Sequence, residues 1–382
     1  MKMKRFVSLL FCCLLLLPLL SGCTQDARTE AHGLGNGWQA EVSLKLQYAQ
    51  HFSVDYYEGG YKLITLSGGG RFLVVPQGAQ DPAGIDGDIT VLHQPIRNIY
   101  LVATSAMCLF DALDALDTIS LSGTRATHWY NANARAAMEA GSIRYAGKYS
   151  EPDYELILTD GCELAIESTM IDHTPEVKEK LEGLGIPVLV DQSSHESHPL
   201  GRTEWLKLYA ALLNKEDEAQ RLFDRQVGYL NEAATQQSLG KTVAFFHIST
   251  AGYAVARKSG DYVSKMIELA GGDYIFKGLG DPDTATSTVT LEMEKFYATA
   301  KNADFIIYNS TIGGELSSLE ALIAKSELLK DFKAVQNGNV WCTGQNLFQE
   351  TTQLGQMILD INRMITNEDP QLNKLEFLYK LQ

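Results

Sequence analysis

The chain has no excess of basic charge. Its 32 Lys and Arg stand against 47 Asp and Glu, a formal net charge of −15. Nucleic-acid binding needs a basic footprint, so that class is excluded; an acidic balance favours solubility and identifies no ligand. Cysteine is scarce. Cys12 and Cys13 fall in an N-terminal apolar run, and beyond Cys23 only Cys108, Cys162 and Cys342 remain. Their spacing offers neither a CxxC metal pair nor a disulfide framework, and the apolar neighbours of Cys162 and Cys342 predict buried free thiols. No G-x-S-x-G elbow and no HExxH helix occurs. "SGGG" (67–70) precedes a strand and lacks the Lys-Ser/Thr of a phosphate loop. After residue 20 no apolar run approaches the roughly 20 residues of a membrane span.

What is present starts at the N-terminus. "MKMKR" is cationic, "FVSLLFCCLLLLPLL" (6–20) is apolar, and "LSGC" (20–23) closes the run with small residues before a cysteine. This predicts a secretion signal over 1–22. It resembles a bacterial lipobox, in which Cys23 carries the lipid anchor at the outer face of the cell membrane. Two or three acyl chains hold firmly at about 0.8 kcal/mol per buried CH2. Loss of Lys2, Lys4 and Arg5 with the signal takes the net charge from −15 to −18. Residues 23–40 are polar, glycine-bearing and aperiodic, a flexible tether.

Short strand-like runs over 42–92, "FSVDYY", "YKLITL", "RFLVVP" and "ITVLH", predict an antiparallel start. From about residue 99 strands alternate with helices, as in "NIYLVA", "SAMCLFDALDAL", "TISLSG", "YELILTDG", "ELAIES", "TPEVKEKLEGLG" and "IPVLVD". Apolar strands in repeated βα units imply a mainly parallel sheet covered on both faces. Thr174 is the expected cap of its helix, with Pro175 in the first turn and Gly185 as terminator. Residues 202–236 interrupt the rhythm with apolar residues at three- and four-residue steps and no Pro, a long helix with a break expected near Asn214. Alternation then resumes with "TVAFFHIS", "DYVSKMIELAGG", "DFIIYN", "NVWCTG" and "TTQLGQMILDINRMI". The predicted fold class is α/β: two Rossmann-like lobes with mainly parallel sheets, an N-terminal lobe over 41–200 and a C-terminal lobe over 238–365. One rigid interlobe helix over 201–237 joins them, and a tail covers 366–382. A stiff connector leaves a ligand cleft between the lobes.

Two stretches share a layout. In "PDYELILTDGCELAIEST" (152–169) Glu155 starts a helix and Glu163 opens the following strand. In "LEMEKFYATAKNADFIIYNS" (291–310) Glu294 and Asp304 do the same, with Glu292 an alternative to Glu294. A carboxylate at a helix start has a local explanation, the positive end of the helix. Together with the lipobox and "HPLGRTEWLKLYAALLNKEDEA", these stretches resemble the substrate-binding lipoproteins of ABC importers, in particular the long-helix class that binds iron-siderophores, haem or cobalamin. The resemblance spans about residues 90–365. It implies a monomeric solute-binding protein with no catalytic residues and no intrinsic cofactor. It also implies that Glu155 and Glu294, one per lobe, meet arginines on the two subunits of an importer permease dimer that works with a cytoplasmic ATPase.

Loops after strands supply the pocket candidates. "SGTRATHWYNANAR" offers Arg125, His128, Trp129 and Tyr130; "SSHESHPLGR" offers His195, Glu196, His198 and Arg202; "STAGYAVARKSGD" offers Tyr253, Arg257 and Lys258; "GQNLFQET" offers Phe348 and Gln349. Aromatic faces and guanidiniums suit a large anionic chelate, above all a ferric siderophore. Haem would want an axial Tyr or His, with Tyr130, Tyr253 and His128 as candidates. Cobalamin would use the aromatics more than the cations. A bare metal ion on His195 and His198 is the weaker reading, since those side chains also suit a helix entry. An extracellular α/β enzyme is the remaining class, and no spacing argues for it.

Overall fold

The computed structural model describes residues 34–35, 37–234, 240–281 and 287–382. Cys23 and the apolar run at 6–20 lie outside the described residues. Among the described residues no helix is long and apolar enough to cross a membrane.

The chain begins with a sheet of five strands in sequence order: Val42–Ser43, Phe52–Tyr56, Lys62–Leu66, Arg71–Val75 and Ile89–His93. The first four pair antiparallel, as expected, but Arg71–Val75 and Ile89–His93 are parallel. Alternating side chains serve two cores. Phe52, Val54, Ile64, Phe72 and Val74 join the first lobe's main core, while Leu63, Leu73 and Val75 close a small cluster with Leu34 and Tyr57.

The first lobe is an all-parallel sheet in the order Val188–Asp191, Leu164–Ser168, Ile99–Leu101, Ile119–Ser122, Arg144–Tyr145. Its strands are apolar because helices cover both faces. The second lobe is mixed. Thr242–Ile248, Phe305–Tyr308 and Val340–Thr343 are parallel. Ala254–Arg257 and Thr288–Leu291 extend one edge antiparallel, and Leu378–Lys380 pairs antiparallel with the other edge strand. The segment expected as a tail therefore returns into the sheet.

The connector is three helices rather than one: Pro199–Glu204, Leu206–Leu213 and Glu216–Ala234. The second break falls at Asn214, which adopts φ 57°, a left-handed cap that Asn tolerates. Glu216, Asp217 and Glu218 then sit at the positive start of the last helix. Leu206–Leu213 is buried in the first lobe's core, and Phe223 and Leu230 of the last helix enter the second lobe's core. Close crossing by helix Leu354–Thr366 needs Gly355, where a Cβ would stand 2.2 Å from the Gln226 carbonyl oxygen.

One capping expectation changes: Thr174 makes no capping hydrogen bond, although Pro175 does occupy the first turn. Helix Tyr154–Thr159 is capped by Asp153, whose carboxylate accepts the Leu156 N–H at 3.0 Å. Among the described residues the cysteines are free, Cys108 and Cys342 buried and Cys162 partly so. Burial pushes their thiols up to about 11, 11 and 12 for Cys108, Cys162 and Cys342, so none is a ready nucleophile.

Candidate functional site

A cavity of about 430 Å³ lies between the lobes. Three parallel strands deliver residues to it from their carboxyl ends. Thr169 follows Leu164–Ser168, Ser194 and His195 follow Val188–Asp191, and Leu347 and Phe348 follow Val340–Thr343. Arg202 comes from the first connector helix. Arg257 ends the antiparallel strand Ala254–Arg257, and Asp261 and Tyr262 start the next helix.

The two arginines give the cavity its chemistry. The Arg202 guanidinium carbon stands 4.1 Å from the Tyr262 ring centroid, and that of Arg257 stands 4.7 Å from Phe348. Stacking fixes the plane of a guanidinium and leaves its edge N–H groups available. Arg257 Nη1 donates to Asp261 Oδ2 at 3.3 Å. Asp261 is itself occupied, accepting from the backbone of Val263 and Ser287. Arg202 donates a hydrogen bond only to the Ser194 carbonyl, at 3.4 Å, and has no carboxylate partner among the described residues. The Nε of each arginine is buried without a hydrogen-bond partner. Two guanidiniums against one committed carboxylate leave the cavity lining with an excess of positive charge. The Arg257 charge also helps burial to lower the pKa of neighbouring His247.

Of the residues picked out from sequence, His195, Arg202, Arg257 and Phe348 line the cavity together. The others stand elsewhere. Trp129 is 1% exposed, inside the first lobe's core, because an indole of that size is worth more buried than at a rim. Glu196 is 2% exposed and accepts from the Gln50 and His51 amides and from the Trp205 indole. His198 caps helix Pro199–Glu204 through Nδ1, which accepts the Leu200 N–H, and stacks on Tyr48. Burial lowers its pKa to about 4, with Glu204 opposing. Arg125 stacks on Tyr145 in a separate surface cavity of the first lobe. Tyr253 and Lys258 do not line the interlobe cavity. Gln349 ties the lobes, accepting from the Tyr130 N–H and donating to the His128 carbonyl, both at 2.8 Å; the rings of His128 and Tyr130 are outside the lining. Thr169, Asp261, Tyr262 and Ser287 are among the lining residues that escaped the sequence reading. Only Asp261 and Tyr262 had a signal there, a capping Asp opening a helix soon after a strand. No group of three or more His, Cys, Asp or Glu able to hold a metal ion occurs among the described residues.

Glu155 and Glu294 are both exposed in the first turn of their helices, Tyr154–Thr159 and Met293–Ala300. Short connections lead from each helix into a parallel strand, so each helix runs back along its sheet and its start lies at the carboxyl edge. The two carboxylates thus occupy matching places on the two lobes. Glu292 is also exposed, one residue before the helix, and makes no cap bond.

Residues 102–347 match the family model described as periplasmic binding protein. The chain belongs to that family. A lipoprotein of unknown function from Methanocaldococcus jannaschii is 24% identical over 99% of this chain and 97% of its own length. The periplasmic heme binding protein of Vibrio cholerae superposes with a TM-score of 0.56 at 19% identity, covering 69% of this chain and 98% of that one. An ABC-type Fe3+-hydroxamate transport protein from Saccharomonospora viridis gives 0.55 at 17%, covering 72% and 94%. At such identities the superpositions speak to fold. This periplasmic binding protein therefore has the two-lobed architecture of its family, with the arginine-lined cavity between the lobes.

Proposed function

We propose that this protein is a lipid-anchored solute-binding protein that captures an anionic metal chelate, a ferric siderophore first of all, and delivers it to an ABC importer permease. The observation that carries the ligand class is the pair of ring-stacked guanidiniums, Arg202 and Arg257, lining one cavity with a single carboxylate, Asp261, which is committed to Arg257 and to backbone amides. A cavity of about 430 Å³ falls within the usual range for small-molecule sites. Carboxylate or catecholate oxygens of a chelate would take the free guanidinium edges. The protein performs no chemistry on its cargo. Cys23 carries the lipid; the segment expected as a tether through residue 40 is instead packed on the N-terminal sheet by Leu34 and Trp38. Glu155 and Glu294 orient the protein on the permease; for the second carboxylate Glu292 is the alternative. Exposed ion pairs contribute only about 0–1 kcal/mol each, so their part is orientation and encounter rate in a transient complex.

Haem is the second reading, favoured by one observation: His195 lines the cavity with the two arginines. An imidazole for the iron and guanidiniums for the propionates would suit it. Tryptophan fluorescence titration against ferric siderophores, ferric citrate, haem and cobalamin tests both. A ferric chelate binding below about micromolar, roughly −8 kcal/mol, supports the first reading. Haem alone binding supports the second, and binding by none overturns both.

A further inference from the structure

The N-terminal sheet precedes the family match, which begins at residue 102. Five successive backbone amides, 47–51, point at two buried carboxylates. Gln47, Tyr48 and Ala49 donate to Glu204 at 2.8–3.0 Å, and Gln50 and His51 donate to Glu196 at 3.0–3.1 Å. Glu204 is fully buried and Glu196 is 2% exposed. Helix Pro199–Glu204 lies between these carboxylates, and Arg202 projects from it into the cavity. Close approach is possible because position 201 is glycine: a Cβ there would stand 3.1 Å from the Tyr48 carbonyl oxygen and 3.2 Å from Glu196 Oε2. Lys62 of the same sheet reaches the second break, donating to the Ala211 carbonyl at 2.9 Å and to Asn214 at 2.6 Å. Both interruptions of the connector are thus pinned by one module. Helix Pro199–Glu204, just before the first interruption, has only six residues and stands where the lobes meet, with Leu200 in the second core and the adjoining Trp205 in the first. Left to itself a helix this short is a weak mount for a binding residue.

We propose that Glu196 and Glu204 are positioning residues: by seizing the amides at 47–51 they lock the short hinge helix to the N-terminal sheet and hold Arg202 at the cavity. This rests on the reading of the cleft as an anionic-chelate site. The role is separate from ligand contact, since neither carboxylate lines the cavity.

The main variant is Glu196→Gln, whose partners are all neutral donors. Glu204 also pairs with buried Lys207 at 2.8 Å, so its variant is the charge-balanced double Glu204→Gln/Lys207→Met. Amide hydrogen exchange is followed over 47–51 and 200–205 in the ligand-free protein, and ferric citrate affinity is measured with and without Arg202→Gln. We expect exchange in both segments to rise about tenfold or more, the loss of charge-assisted hydrogen bonds. We expect ferric citrate affinity to fall about tenfold in Glu196→Gln, and no further fall when Arg202 is already Gln. Unchanged exchange over 200–205 overturns the proposal, as does an equal affinity loss in both backgrounds. Should ferric citrate fail to bind the unaltered protein, the exchange result alone decides: a rise over 200–205 supports the clamp, no rise refutes it, and the failure of binding counts against the chelate reading.

Discussion

Two loops of similar composition behave differently. Arg125 follows strand Ile119–Ser122 in the first lobe and stacks on Tyr145; Arg257 ends strand Ala254–Arg257 in the second and stacks on Phe348. Each pairs a guanidinium with a ring, yet only Arg257 faces the interlobe cavity. Their places in the sheets differ. The loop after Ile119–Ser122 lies over Tyr145, which belongs to the strand paired with it at the sheet edge. Ala254–Arg257 joins Thr242–Ile248 to the antiparallel edge of the second sheet, and its Arg257 lines the cavity that Arg202 of the connector also lines. The first lobe spends Trp129, Glu196 and His198 on bracing and brings Thr169, Ser194 and His195 to the cavity, while both cavity arginines come from the second lobe and the connector.

That contrast can be broken in several ways. The largest effect is expected from reversing charge at Glu155 and Glu294 together. Uptake by cells should fall to background while chelate affinity in solution stays unchanged, because both carboxylates lie outside the cavity; normal uptake would remove their docking role. Next comes Trp129→Ala, which empties a buried site and should cost about 3–5 kcal/mol in denaturant unfolding. The protein that stays folded should keep its affinity. A smaller effect concerns pH. His198 is lowered to about 4 by burial, so the unfolded chain binds its proton first, and stability should fall as pH drops from 6.5 towards 4. Glu167 has the opposite sign. Its carboxyl is fully buried with both oxygens unpartnered, and burial pushes its pKa up to about 8. Its contribution is present at low pH and lost as pH rises from 4.5 through 8. Thermal unfolding across pH should show His198→Asn flattening the acid limb and Glu167→Gln raising the alkaline limb, both without moving chelate affinity. The smallest effect belongs to Arg125→Gln, for which titration should show less than about a twofold change, the scatter of surface substitutions.

Much of the fold was legible because apolar runs and turn residues dictate βα units directly. "ELAIES", "IPVLVD" and "DFIIYN" became the strands their composition required. Three things were hidden. The edge strands Ala254–Arg257 and Thr288–Leu291 are half-buried and short, so their sequence resembles loop. Strand Leu378–Lys380 depends on a distant partner, Val340–Thr343. The break at Trp205 leaves no Gly or Pro behind, since Trp205 keeps helical dihedrals there (φ −58°, ψ −18°). The site was legible by residue type and not by direction. Arg, His and Phe in strand-following loops picked out His195, Arg202, Arg257 and Phe348. Sequence could not distinguish a Trp that fills a core from one that lines a cleft, nor a Glu that seizes amides from one that binds cargo.

The account rests on Arg202 and Arg257 forming one anion site. The direct measurement is the equilibrium affinity of the tightest-binding ferric chelate for the unaltered protein and for Arg202→Gln/Arg257→Gln. Loss of two charge-assisted contacts predicts a fall of about a hundredfold or more, with neutral cobalamin unaffected. An affinity within about threefold of the unaltered protein, under 1 kcal/mol, would contradict the account.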